Sequence, residues 1–287
     1  MNWWADFFDE QYRVLWAPVL DDERTRWELD GVRELLERHD VHSVLDVCGG
    51  DGRIARPLAA EGYALTVADY SLSMLSHGRA QAQGDALSWV RADARRLPFA
   101  PRYDAVLNLF TSFGFFATDA EHQAAMDAMA SSLRPGGVLI MDLVHRDFAA
   151  TAVAPQTYYE LADGTVVTRR FDFDPIEGRT HERLRVFDAA SGVTVRERNW
   201  SIRLFTATEL ARMLERAGLR PLAWFGDYDG DDFCAESARL LLLAERTGTA
   251  SARPEDEMPT MHWTTILDQL VCPQTRAPLR LLEAGEL

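Results

Sequence analysis

Short apolar runs alternate with amphipathic stretches over residues 41–145. The runs are Val44–Val47, Ala64–Ala68, Ser88–Val90, Ala105–Leu109 and Val138–Leu143; between them lie segments of helical period such as Ser71–Ala82 and Asp119–Leu133. Continuous apolar runs belong to strands buried on both faces, so the alternation predicts a parallel sheet covered by helices. From residue 157 the rhythm changes. Four β-rich runs, Thr157–Leu161, Thr165–Phe173, Thr180–Asp188 and Thr194–Phe205, are separated by Asp163-Gly164, Asp174–Gly178 and Ala189–Gly192. Those separators are hairpin signals, which predicts an antiparallel insertion over 157–205. Thr206 and Glu209 then form a capping box for a helix to about Ala217, ended by Gly218, with two further strands at Arg220–Phe225 and Arg239–Ala244. Upstream, Trp4, Phe7, Phe8 and Tyr12 share one face of a helix predicted within residues 2–16, and Asp21 and Asp22 cap a second helix running to about His39.

Composition narrows what such a fold could do. The 287 residues carry 45 acidic against 30 basic side chains, a net charge of −15, and every basic residue is an arginine. No lysine is present for a Schiff base or a phosphate-binding P-loop, and the acidic balance disfavours a nucleic-acid groove. Three cysteines at long spacings, Cys48, Cys234 and Cys272, do not make a disulfide framework. The acidic, aromatic start of the chain does not read as a signal peptide, and no apolar run is long enough for a membrane span. A cytoplasmic protein with no membrane or nucleic-acid partner is expected.

The strongest chemical signal is the segment from Val44 to Arg53, VLDVCGGDGR. A strand delivers Asp46, and the chain turns through Gly49, Gly50 and Gly52 into a helix whose free N–H groups face a ligand. Asp69 closes the next strand, where a carboxylate can accept hydrogen bonds from a ribose diol; Asp93-Ala94 follows the third strand, placed to meet an adenine amine. The run Gly50-x-Gly52-x-x-Ala55 also satisfies a loose dinucleotide pattern, which keeps a nicotinamide-dependent oxidoreductase in view. Asp46, four residues before Gly50, would repel a pyrophosphate and suits a cationic or hydroxylated ligand instead.

Residues 41–145 resemble the class I S-adenosylmethionine-dependent methyltransferases, and more closely the bacterial small-molecule branch that includes sugar N,N-dimethyltransferases. The likeness rests on LDVCGGDGR, VADYSLSML, RADARRLPF, YDAVLNLFTSFGFF and LRPGGVLIMDLVHRD, and extends from Trp3 to about Glu245. Cys48 departs from it, standing where the family usually has its first glycine. The resemblance implies an α/β fold, a doubly wound, seven-stranded, mostly parallel Rossmann-like sheet, within a methyltransferase domain over 1–246. It implies a cofactor site made by Tyr12, Asp46, Cys48, Gly49, Gly50, Gly52, Asp69, Tyr70, Asp93, Ala94, Asn108 and Leu109. In it, Asp46 meets the methionine amine, Asp69 the ribose, and Asp93 with Ala94 the adenine.

Methyl transfer from a sulfonium needs alignment more than acid–base chemistry, and a base chiefly when the nucleophile is a hydroxyl. His145, leaving the fifth strand at its ligand-facing end, is the candidate base. Trp200, Arg203 and Tyr228 are the expected acceptor contacts, with the insertion as a roof and Asp227–Asp229 as an acidic rim suited to an amine. The expected reaction is methyl transfer to N or O of a small metabolite, with no metal. The alternatives are a repurposed S-adenosylmethionine-binding protein, either a cyclase or non-catalytic, and the oxidoreductase. Residues 247–262, polar with two prolines, read as a linker. Residues 263–287 resemble the opening of small zinc-ribbon methyltransferase activators, with Cys272 alone where zinc wants four ligands and Leu267, Leu270 and Val271 as a docking stripe. A homodimer is left open.

Overall fold

The computed structural model describes residues 4 and 6–248, apart from 83–86, 153, 162, 189 and 190; most of the expected linker and the whole activator-like tail lie outside the described residues. The chain begins with α1 (Glu10–Trp16) and α2 (Asp22–Arg38). The aromatic helix starts eight residues later than the pattern predicted, because the Asp9 carboxylate accepts the Tyr12 N–H at 2.9 Å and opens the helix there. Asp21 caps α2 in the same way, as expected.

The α/β core follows: β1 (Ser43–Val47), α3 (Ala55–Ala60), β2 (Ala64–Asp69), α4 (Leu72–Gln81), β3 (Leu87–Arg91), β4 (Tyr103–Asn108), α5 (Asp119–Ser132) and β5 (Leu133–Val144). A seven-residue helix that the pattern did not show, α6 (Arg146–Ala152), leads into β6 (Gln156–Glu160), β7 (Val166–Asp174), β8 (Arg179–Phe187) and β9 (Thr194–Arg203). The chain returns through α7 (Ala207–Arg216), whose Thr206–Glu209 capping box is formed in both halves, to β10 (Leu219–Phe225) and β11 (Arg239–Arg246).

Seven strands form one sheet in the order β10-β11-β5-β4-β1-β2-β3; all neighbours from β5 to β3 are parallel, and β11 runs antiparallel to both β5 and β10. The apolar strands sort by the two-residue period. Leu45, Val106, Leu139 and Met141 face the layer with Met126 and Met129, whereas Val44, Leu107, Val138 and Ile140 face Leu36 and Leu58. Each such side chain fully removed from water contributes about 1.5–3 kcal/mol. Strand order reverses at β1, between β2 and β4, and in sheets of this kind the crevice at that reversal, at the strands' carboxyl ends, takes ligands.

The insertion is a separate antiparallel sheet, β6-β7-β8-β9. Its apolar side, Val167, Leu184, Val186 and Trp200, packs on Phe7, Leu15 and Trp16. It therefore backs the N-terminal segment. Among the described residues no helix is long and apolar enough to cross a membrane.

Candidate functional site

At the carboxyl ends of β1, β2 and β3 lies a cavity of about 470 Å³, within the range typical of small-molecule sites. Asp46, Cys48, Gly49, Gly50, Asp69, Tyr70, Asp93, Ala94, Leu109 and Tyr12 all line it. The glycine turn is braced from below: Asp69 Oδ2 accepts the Gly50 N–H at 2.9 Å while its Oδ1 accepts the Ser71 N–H at 2.7 Å. Gly50 has φ +61°, and Cys48 has φ +60°, a left-handed conformation that costs a residue with a Cβ about 1–2 kcal/mol.

Gly49 is required by close approach. A Cβ there would come within 2.5 Å of the Asp46 Cγ, inside any allowed contact with a carboxylate that is itself buried. Gly49→Ala is expected to displace that carboxylate and to destabilise the fold by about 1–3 kcal/mol, read as a lowered thermal midpoint. An unchanged midpoint would show that the turn has slack.

The acids at this end sit in unfavourable company. Burial, then the nearby Asp69, pushes the Asp46 carboxyl up to about 7. Burial likewise raises Asp69, against the N–H groups of Ser71 and Gly50 that favour its charge. Such a pair is relieved by a cationic ligand, which fits the ammonium and sulfonium of S-adenosylmethionine and does not fit a pyrophosphate. Burial holds the Tyr12 phenol above its usual range, so it remains a neutral donor stacked on Trp16 at 4.6 Å.

Six expected site residues lie elsewhere. Gly52 stands behind the turn: its carbonyl accepts the Arg56 N–H at 2.8 Å as the helix begins, and a Cβ on it would strike Trp89 at 2.7 Å. Asn108 is buried below the wall, donating from Nδ2 to the Val47 carbonyl at 3.0 Å. His145 does not line the cavity. Its Nδ1 donates to the Ser237 carbonyl at 2.7 Å and its ring packs on Phe233 at 4.7 Å, so it ties β5 to the segment before β11. Trp200 is buried between Phe7 and Trp16, at 5.2 and 5.7 Å. Arg203 pairs with Glu209 and lies over the Phe205 ring at 4.7 Å. Tyr228 is buried against Trp27, whose indole N–H donates to Asp229 at 2.8 Å, so the expected acidic rim faces α2 instead.

More of the cavity wall comes from residues not expected in the site, among them Arg13, Arg53, Phe110, Phe115 and Phe116, with Trp4 and Phe8 from the aromatic face expected near Tyr12. Arg53 and Arg24 both bind the fully buried Glu28, and both guanidinium groups lie over Phe110, at 5.8 and 5.3 Å. One signal was available. Glu28 precedes Val32, Leu35 and Leu36 at helical spacing, an acid on the apolar face of α2 that needed a partner.

Comparison with known proteins bears on the same region. A family model described as a methyltransferase domain matches residues 44–137. A dTDP-3-amino-3,6-dideoxy-alpha-D-glucopyranose N,N-dimethyltransferase of Streptomyces fradiae is 31% identical over 192 residues, covering 64% of this chain and 73% of that protein. The chain belongs to the class I S-adenosylmethionine-dependent methyltransferases. It spans just over half, 57%, of the glycine N-methyltransferase of Rattus norvegicus, to which it is 28% identical over 172 residues, 52% of this chain. Among solved structures, S-adenosylmethionine-bound CalS10, an amino pentose methyltransferase from Micromonospora echinaspora, superposes with a TM-score of 0.61 at 25% identity, covering 78% of this chain and 94% of that one. Membership of this methyltransferase family leaves the nicotinamide reading without support.

Proposed function

We propose that the protein transfers a methyl group from S-adenosylmethionine to the nitrogen of a small, amine-bearing metabolite. The observation that carries the reading is a single cavity with an aspartate at or just beyond the end of each of three neighbouring parallel strands and no histidine among its described lining residues. An uncharged amine brings its own lone pair and needs no base, whereas a hydroxyl acceptor would. The named activities of two relatives, a glycine N-methyltransferase and an amino-sugar N,N-dimethyltransferase, support the same acceptor atom.

Bound in this cavity, S-adenosylmethionine supplies an electrophilic methyl group on a sulfonium leaving group. The chain's part is placement. Asp46 receives the ammonium, Asp69 the ribose hydroxyls and Asp93 with Ala94 the base, while Tyr12, Phe8 and Phe115 keep water from the open side. Holding the reactants aligned in a dry site supplies much of the acceleration. The test is incubation with S-adenosylmethionine and a panel of small amines and amino sugars. S-adenosylhomocysteine with an N-methylated product is expected; release of methylthioadenosine would instead identify a cyclase, and no product with any acceptor a binding protein.

The Asp46 carboxyl gives this reading a pH signature. An acid whose folded value is raised from 3.8 to about 7 holds its proton more tightly when folded. Its contribution to stability is therefore full below pH 4 and is lost as pH rises through 7. Ligand binding runs the other way, because an ammonium favours the carboxylate. Affinity for S-adenosylhomocysteine is expected to fall by up to about tenfold per pH unit below 7, with a proton released on binding. Asp46→Asn should bind weakly with a flat profile in calorimetry; a flat profile in the parent protein would remove Asp46 from this role.

A further inference from the structure

Arg95 does not line the cavity, yet it touches three residues that do: Asp93, Phe116 and Trp4. Its Nε donates to Asp93 Oδ1 at 3.0 Å and Oδ2 at 3.2 Å, its Nη2 donates to Oδ2 at 2.6 Å, and its backbone N–H donates to Oδ1 at 2.9 Å. The other terminal nitrogen pairs with Glu121, the third residue of α5 and one half of the capping box with Thr118. The guanidinium carbon lies over Phe116 at 4.8 Å and Trp4 at 5.4 Å, two rings that do line the cavity. Trp4 in turn meets Tyr70 edge-on at 5.0 Å.

This arrangement restricts what Asp93 can recognise. An ionised carboxylate offers about four acceptor directions and no donor. The fork and the backbone N–H occupy about three of them and fix the plane of the group, so roughly one direction remains for a ligand. An acceptor held rigidly reads a donor and rejects another acceptor. Among purines, the 6-amino group of adenine is a donor, and the 6-oxo group of hypoxanthine is an acceptor.

We propose that Arg95 is the positioning residue that makes this end of the cavity selective for a 6-amino purine, by locking the Asp93 carboxylate in one acceptor orientation while clamping Trp4 beside it. The proposal rests on the reading of the cavity as an S-adenosylmethionine site. A guanidinium is needed because its planar fork fixes two oxygens at once, which a lysine ammonium cannot do. Lowering of the Asp93 pKa below the usual range, where hydrogen bonds and charge from Arg95 outweigh burial, keeps the group ionised over the working pH range.

The test compares calorimetric binding of S-adenosylhomocysteine and its hypoxanthine congener, S-inosylhomocysteine. The parent protein should prefer the adenine ligand by at least about a hundredfold. Arg95→Met should weaken the adenine ligand by roughly tenfold to thirtyfold and the hypoxanthine ligand by less than about threefold, collapsing the ratio. Arg95→Lys, which keeps the charge without the fork, should lose most of the same selectivity and serves if the Met variant does not fold. In an Asp93→Ala background, Arg95→Met should change the ratio no further. Equal weakening of both ligands would reduce Arg95 to a structural staple and overturn the proposal, as would an unchanged ratio. If the parent bound neither ligand, the cofactor reading itself would fall, and this proposal with it.

Discussion

Replacing Asp69 with alanine is expected to weaken S-adenosylhomocysteine binding by roughly 30- to 1,000-fold while the protein stays folded. The carboxylate proposed to hold the ribose would make charge-assisted hydrogen bonds to two hydroxyls, together worth about 2–4 kcal/mol. It also braces the turn, since the Gly50 N–H and the Ser71 N–H both end on it. Stability is less exposed. Burial raises the Asp69 carboxyl, so its charge is a burden to the unliganded fold, and the two freed N–H groups face a cavity that water can enter. Calorimetry and the thermal midpoint, measured on the same preparation, separate the two effects. An affinity within threefold of the parent would end the ribose role for Asp69 and, with it, the orientation of the ligand drawn above.

What could be read from the chain divides by the range of the interaction. The five parallel strands, the four-stranded insertion and the Thr206 cap were legible because each is written locally, in a run of apolar residues, an Asp-Gly turn or a three-residue spacing. The acidic wall was legible for the same reason: Asp46, Asp69 and Asp93 each stand at or just beyond the end of an apolar run, where a carboxylate meets the crevice. His145, Trp200 and Tyr228 were misplaced because their surroundings are set at long range. Ser237 captures the His145 ring from 92 residues away, and the aromatic segment before α1 buries Trp200 from the other end of the chain. Gly52 and Asn108 show a finer limit: both belong to motifs that build the site, yet they hold the loop and the strand end from behind.

The largest effect on stability is expected at a residue the sequence did not single out. Asp142, fully buried on β5, accepts Arg239 Nε at 2.8 Å and Nη2 at 2.5 Å across the antiparallel β5–β11 pair. It also accepts the Phe110 N–H at 3.0 Å, and its own carbonyl accepts the Thr111 N–H at 2.8 Å. Phe110 and Thr111 have φ of +52° and +57°, and two successive left-handed residues with side chains persist only where something holds them. Asp142→Ala would leave a buried guanidinium and a backbone N–H without their acceptor, at a cost of about 3–5 kcal/mol, or roughly 6–20 °C in the thermal midpoint. The paired change Asp142→Leu with Arg239→Met should recover most of that loss, because no charge is then stranded. It should not recover ligand binding, since the Phe110 N–H still lacks its acceptor and Phe110 forms part of the cavity wall. Stability regained without affinity would place Asp142 as the brace for that wall; both regained together would mean the turn holds itself.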